Sequence, residues 1–296
     1  MFAAEKPGRF LNLTDKVLLF YLATIIIHVV IRMNRLPSTS WSSGWRLHVG
    51  GNLLIAAGIV ILSVLTHQRN SFWLRFTHTF YPVFLLIWLY PETGLLRHTV
   101  IPNDLDALVL RWNQALFPGN GYETIPARLN LFWLEVFHGA YFAYYLSLGL
   151  FAMLAYGRQE PLVHEYLFVL LMAMLIQNWV VILFPAAGPV PLRSEVIPQG
   201  VFFIPIMNWI YRNLDNGGGA FPSLHSSAAL IAAWYATRFF PAWKFPLLLF
   251  LGLVLLATVA GSFHYPIDTL GGLVTGTVAL LFLPKLYHTL HSRESR

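Results

Sequence analysis

Eight apolar segments, each about as long as a helix needs to cross roughly 30 Å of hydrocarbon, leave this chain few folds to choose from. They lie at about 16–33, 48–66, 71–90, 131–156, 164–184, 222–239, 243–262 and 267–288. Within lipid every backbone amide needs an internal partner, so such segments become helices packed side by side. The expected fold is an all-α polytopic membrane protein of about eight transmembrane helices. Composition agrees, since 57% of the 296 residues are hydrophobic and 11% charged, too little polar surface for a soluble domain of this size. The third segment fits the pattern least well because it carries Arg75 and His78. The N-terminal MFAAEKPGRF has no hydrophobic stretch followed by a small-residue cleavage site, so the first span is expected to be an anchor. The absence of cysteine removes disulfide and thiolate chemistry.

With eight spans, both termini share one side. Lys and Arg are dense at the span ends there and are spread over much longer connections on the other side, which puts the termini in the cytoplasm. A net charge of +6 suits a membrane with anionic headgroups. No segment resembles a nucleic-acid-binding module, and the chain has neither an internal repeat nor a low-complexity tract.

Polar residues collect in two long outer connections, 91–130 and 185–221. The first contains NDLDALVLRWNQALF, where Leu105, Leu108, Val109, Trp112 and Leu116 recur at helical spacing. That helix either lies in the interface or packs on the outer ends of the bundle. The second begins with FPAAGPVPLR and ends in GGGAFPSLHSS. Pro222 suits the first turn of a helix, and Gly217, Gly218 and Gly219 let backbone approach a ligand closely. Amides at the start of that helix, with Ser223 beside them, form a ready anion site. His225 follows, an ionisable group in a membrane span and therefore a functional candidate.

Between the seventh and eighth spans lies GSFHYPIDTLGG, with Asp268 four residues after His264. A carboxylate against one ring nitrogen fixes the tautomer and leaves the other nitrogen as nucleophile or base. The fifth span ends at FPAAGP, the sixth begins at PSLHSS, and His264 sits in the next turn on the same side. Two histidines, a carboxylate, two helix N-termini and Arg193 are thus expected to converge on one membrane face. His138, Tyr141, Tyr144 and Tyr145 share a helical face, with packing or anchoring the leading reading and a lipid cavity lining the other. Trp88 and Tyr90 suit an aromatic belt. His28, His48 and His67 read as structural groups, while Arg97 and Glu92 stand within reach of the site without a motif.

At PSLHSS and HYPID the chain resembles the type 2 phosphatidic acid phosphatase superfamily, whose members carry a PSxH-like motif opening one span and HxxxD between the next two. The 39 residues from His225 to His264 fit that order. GAFPSLHSS, FPAAGP, DLDALVLRWNQALFPG and HGAYFAYYLSL resemble the branch holding inositolphosphorylceramide and sphingomyelin synthases and related bacterial proteins. The likeness covers roughly 75–288. It implies a two-span extension at 1–70, a six-helix membrane core at 71–290 and a tail at 291–296. It also implies a phosphohistidine mechanism in which His264 attacks phosphorus, Asp268 orients it and His225 protonates the leaving oxygen. Ser223, Arg193, Gly219, Pro222 and Leu224 would surround the phosphoryl group through side chain or backbone. The implied partners are membrane lipids, a phospholipid donor with a lipid alcohol or water as acceptor, and no cofactor or metal is implied.

The broader phosphatase pattern places a lysine and an arginine before PSxH and another arginine six residues before the second histidine. Here that last position is Thr258, and no lysine occurs between Lys16 and Lys244. So few cations would compensate a phosphomonoester dianion poorly, which favours a phosphodiester donor and a phosphotransferase. A lipid phosphate phosphatase using the same His/His/Asp site stays open at this stage. So do a proton-coupled transporter and a metal-dependent hydrolase built on the same three residues.

Overall fold

A computed structural model describes residues 10–35, 44–69, 71–215 and 217–294. Most of the N-terminal MFAAEKPGRF, in which no cleaved signal is expected, and the last two residues of the expected tail lie outside them. The chain is all-α: α1 Leu13–Arg32, α2 Trp45–Gln68, α3 Phe72–Leu96, α4 Asp106–Leu116, α5 Gly121–Arg128, α6 Leu131–Leu183, α7 Arg193–Val196, α8 Phe203–Asn213, α9 Leu224–Phe239, α10 Lys244–Ala260 and α11 Pro266–Glu294. Helix α11 runs through the first residues expected in a tail. Among the described residues the only extended pairing is an isolated parallel bridge between Ala186 and Gly219.

Among the described residues five stretches are long and apolar enough to cross a membrane: Leu13–Arg35, Trp45–Gln68, Leu131–Leu183, Pro241–Ala260 and Pro266–Arg293. A straight helix of 53 residues would be about 80 Å long, far beyond a bilayer. Helix α6 avoids this by breaking at Gln159, where φ is −137° and ψ is 40°, two residues before Pro161. The Tyr166 hydroxyl donates to the Leu148 carbonyl at 2.6 Å, a contact across 18 residues that requires the two arms to fold back as a hairpin. The fourth and fifth expected spans are these arms. Two other expected spans fall outside the five stretches. Helix α3 carries Arg75 and two internal prolines, and α9 is only 16 residues long.

Helix α6 packs against α3, α9, α10 and α11, burying Tyr144, Leu148, Tyr166 and Phe168 with Leu224, Ile231, Tyr235 and Val254. Small residues let α11 lie close to α9, because a Cβ on Gly272 would collide with the Ser223 carbonyl. Helices α1 and α2 join this body through Leu18, Leu22, Ile25 and Ile59, packed on Leu89, Leu171 and Ile182. Two buried polar clusters pin them. Asp15 accepts from Tyr81 at 2.7 Å and Ser63 at 3.1 Å and pairs with His78 at 3.0 Å. Glu92 accepts from Asn52 at 2.8 Å and pairs with His48 at 2.9 Å.

Two expectations change here. Glu92 faces this cluster and not the PSLHSS and HYPID motifs, because it shares its side of α3 with Leu89 and Leu96. Trp88 packs where a Cβ on Gly51 would strike its ring, and it donates to Asn52 at 3.1 Å, so it is an interhelical contact and not a belt residue. Helix α4 leaves Trp112 and Leu116 exposed. It packs on the bundle end, with Val109 and Asn113 buried and Trp112 stacked 6.0 Å from Phe184.

Candidate active site

Backbone hydrogen bonds stitch the three motif segments together. Ala186 donates to Gly218 at 3.1 Å and Ala220 donates back to Ala186 at 2.9 Å, joining FPAAGP to the glycine-rich turn. The Ser223 amide donates to the Asp268 carbonyl at 2.9 Å, joining that turn to the start of α11. From the other long connection, Asp106 accepts the Ala187 and Gly188 amides at 2.8 and 2.7 Å, and Asn113 accepts the Ile267 amide at 3.2 Å. Glu135 on α6 accepts amides of Val201 and Phe203 at 2.6 Å and so caps α8.

At the centre, His225 Nδ1 and His264 Nε2 face each other at 3.2 Å. Proton positions follow from the outer partners. His264 Nδ1 lies 3.1 Å from the Ala220 carbonyl, which can only accept, so this nitrogen carries the proton and Nε2 presents a lone pair. His225 Nδ1 is then the donor between the rings, and its Nε2 accepts from the Tyr145 hydroxyl at 3.2 Å. The result is one directed chain: Tyr145 to His225 to His264 to the Ala220 carbonyl.

Asp268 does not make the expected bond to His264. Its Oδ2 is 3.7 Å from Nδ1 and instead accepts the Tyr265 amide at 2.8 Å, capping the turn that starts α11. His264 precedes the helix, so the four-residue spacing does not stack the two side chains on one helical face. The Asp268 Oδ1 is buried without a hydrogen-bond partner. Pro222 likewise lies outside α9, one residue before the N-cap. Ser223 is that cap: its hydroxyl oxygen accepts from the Ser226 amide at 3.2 Å and the Ser226 hydroxyl at 3.1 Å. The Leu224 side chain is buried in the main core, so only its backbone can serve the site. Gly219 sits against Tyr90, whose hydroxyl would be 3.1 Å from a Cβ there. Tyr90 also lies edge-on to His225 at 5.9 Å, which makes it a site wall and not a belt residue.

Arg193 is buried beneath the turn holding His264. It donates to the Gly261 carbonyl at 2.8 Å and to Asn208, and its Nη2 meets His138 Nε2 at 2.6 Å. The Leu134 carbonyl holds His138 Nδ1 at 2.6 Å, so His138 is a neutral acceptor toward Arg193. Among the described residues every partner of this guanidinium is neutral. Burial lowers its pKa to about 10, which keeps it cationic at neutral pH. Its carbon lies 4.5 Å from the Phe263 ring centre, and Phe263 stacks on Tyr141 at 4.2 Å. The tyrosine face of α6 therefore lines the site while also packing it.

Two groups outside any motif join the site. Arg97 lies over the glycine turn, where a Cβ on Gly218 would collide with its Cδ, and it is 3.5 Å from Asp104. Asp215 opens the same turn. Among the described residues no group of three or more His, Asp or Glu is arranged to hold a metal ion.

Fold and site define a helical membrane protein whose ionisable groups gather around a histidine pair at one end of the bundle. Residues 129–282, just over half of the chain, match the model of the PAP2 superfamily, and the chain belongs to that superfamily. At that level it is a phosphatase-type lipid enzyme. The matched region starts at α6 and leaves α3, α4 and α5 outside it. No curated protein and no solved structure matches the chain.

Proposed function

We propose that the chain is a lipid phosphotransferase that moves a phosphorylated headgroup from a phospholipid to a lipid alcohol through a phosphohistidine at His264. The observation that carries this reading is the directed chain from Tyr145 through His225 to His264, which leaves His264 Nε2 as a lone-pair donor beside an N–H on His225. The phosphoryl group enters by separating the two rings. Once the rings separate, His225 takes a solvent proton on Nε2, turned to the Tyr145 oxygen; His264 Nε2 then forms the N–P bond, the P–O bond to the lipid-backbone oxygen breaks, and that oxygen takes the His225 Nδ1 proton, leaving a neutral imidazole. In the second half the acceptor hydroxyl returns a proton to His225 Nδ1, its oxygen bonds phosphorus, and the N–P bond breaks. The first-turn amides of Leu224 and His225, with Arg97 and Arg193, supply positive potential for the phosphoryl oxygens.

Charge balance favours a diester donor. Asp104, Asp106, Asp215 and Asp268 surround the region, against Arg97 and Arg193. A monoester dianion there is under-compensated, whereas a diester carries one charge fewer. This is the chemistry of the inositolphosphorylceramide and sphingomyelin synthase branch that the motifs resemble. The active face is proposed to be extracytoplasmic.

The test compares kcat/KM for phosphatidate and a headgroup diester of the same acyl chains, with a lipid alcohol present and products resolved. The expected result is faster use of the diester, with the headgroup phosphate recovered on the alcohol. Faster hydrolysis of phosphatidate, with no transfer product, would make the chain a lipid phosphate phosphatase.

A further inference from the structure

Asp215 belongs to none of the motifs, yet the turn it opens packs on Arg97 and leads to the carbonyl that holds His264. Its Oδ1 accepts the Gly217 amide at 2.7 Å, a side-chain-closed turn. Gly217 and Gly218 follow with φ of +70° and +87°, values that suit glycine, and Arg97 packs directly on both. Two residues on, the Ala220 carbonyl holds His264. The carboxylate stands within electrostatic reach of His264 and Arg97, and of Tyr90, Tyr145 and Tyr211. Burial raises its pKa, while the Gly217 amide, His264 and Arg97 pull the other way.

A carboxylate has the wrong sign to hold a phosphate, and turn formation alone does not call for one. Asparagine would accept the Gly217 amide equally well through its own Oδ1. The charge itself is therefore the feature to explain. We propose that Asp215 is the charge selector of the phosphoryl site, its carboxylate admitting a phosphodiester monoanion beside His264 and Arg97 and rejecting a phosphomonoester dianion. This rests on phosphoryl transfer at His264, as proposed above.

The experiment measures the ratio of kcat/KM for phosphatidate to that for phosphatidylmethanol of the same acyl chains, a pair separated by a methyl group and one ionisation. Using a ratio cancels any loss of folded enzyme. Asp215→Asn keeps the turn acceptor and removes the charge, and it should raise the ratio about ten-fold. Asp215→Glu keeps the charge and should hold the wild-type ratio. An unchanged or lowered ratio in Asp215→Asn would overturn the proposal. If turnover of a variant is undetectable, displacement of one bound lipid by the other gives the corresponding ratio, and the same shift is required of it. Should the wild type itself prefer phosphatidate, the diester reading fails, while the shift caused by Asp215→Asn still decides the role of Asp215.

Discussion

Asp268 stands 3.7 Å from His264 Nδ1, while the Ala220 carbonyl stands 3.1 Å from the same nitrogen. The backbone, not the carboxylate, holds the ring. Asp268 acts on it through the turn it caps and through its field. His264→Ala is expected to remove nearly all turnover. Asp268→Asn, which can still accept the Tyr265 amide, is expected to cost about 10- to 100-fold in kcat. A triad-like hydrogen bond would make that loss on the order of 10⁴. Steady-state kinetics on the two variants separates these cases.

Tyr145 ends the proton chain at His225, so its hydroxyl contributes to chemistry as well as packing. Removing one hydrogen bond of this kind is worth about 1–1.5 kcal/mol, or about ten-fold in rate. Tyr145→Phe is expected to lower kcat by that factor with little change in KM. An unchanged kcat would return the residue to packing alone.

Arg193 holds together the loop under His264. Arg193→Met would leave the Gly261 carbonyl, Asn208 and His138 without their donor in a buried setting, at about 1–3 kcal/mol each. The melting temperature in detergent is expected to fall by several degrees, together with activity. A raised KM with an unchanged melting temperature would instead mark Arg193 as a direct phosphate ligand.

The site is legible in the sequence as a set of segments more than as a set of contacts. Order and side, read from FPAAGP, PSLHSS and His264, anticipate the stitched backbone of 186–188, 218–223 and 264–268. A helix start near Tyr265–Pro266, with His264 at its mouth, is legible and is where α11 begins, but the spacing overstates the bond to Asp268, which the fold holds as an ion-pair contact at 3.7 Å. Ser223, read from the sequence as part of an anion site, makes the bonds of a helix cap to Ser226. Asp215 lies in a connection without periodicity, and only the folded turn brings it near the histidines, whereas Arg97 stands within reach without a motif and Asp106 heads the helical repeat of α4. The hairpin in α6 is readable from the polar interval around Arg158 and Pro161. The direction Glu92 faces depends on the packing of α1 and α2.

Orientation is open to a direct check because the chain has no cysteine. Ser194 lies exposed in the connection beside the site, and Ser292 is exposed near the end of α11. Ser194→Cys is expected to react with a membrane-impermeant thiol reagent in intact cells, and Ser292→Cys only after permeabilisation. The reverse pattern would put the site in the cytoplasm.

The central claim is a covalent phosphoryl intermediate on His264. Purified protein mixed with a phosphodiester lipid, labelled in its headgroup phosphate, and quenched in alkali without acceptor should carry the label on the peptide containing His264, as an acid-labile adduct. Adding the lipid alcohol before the quench should discharge it. A peptide without label in wild type, or undiminished turnover by folded His264→Ala, would contradict the account.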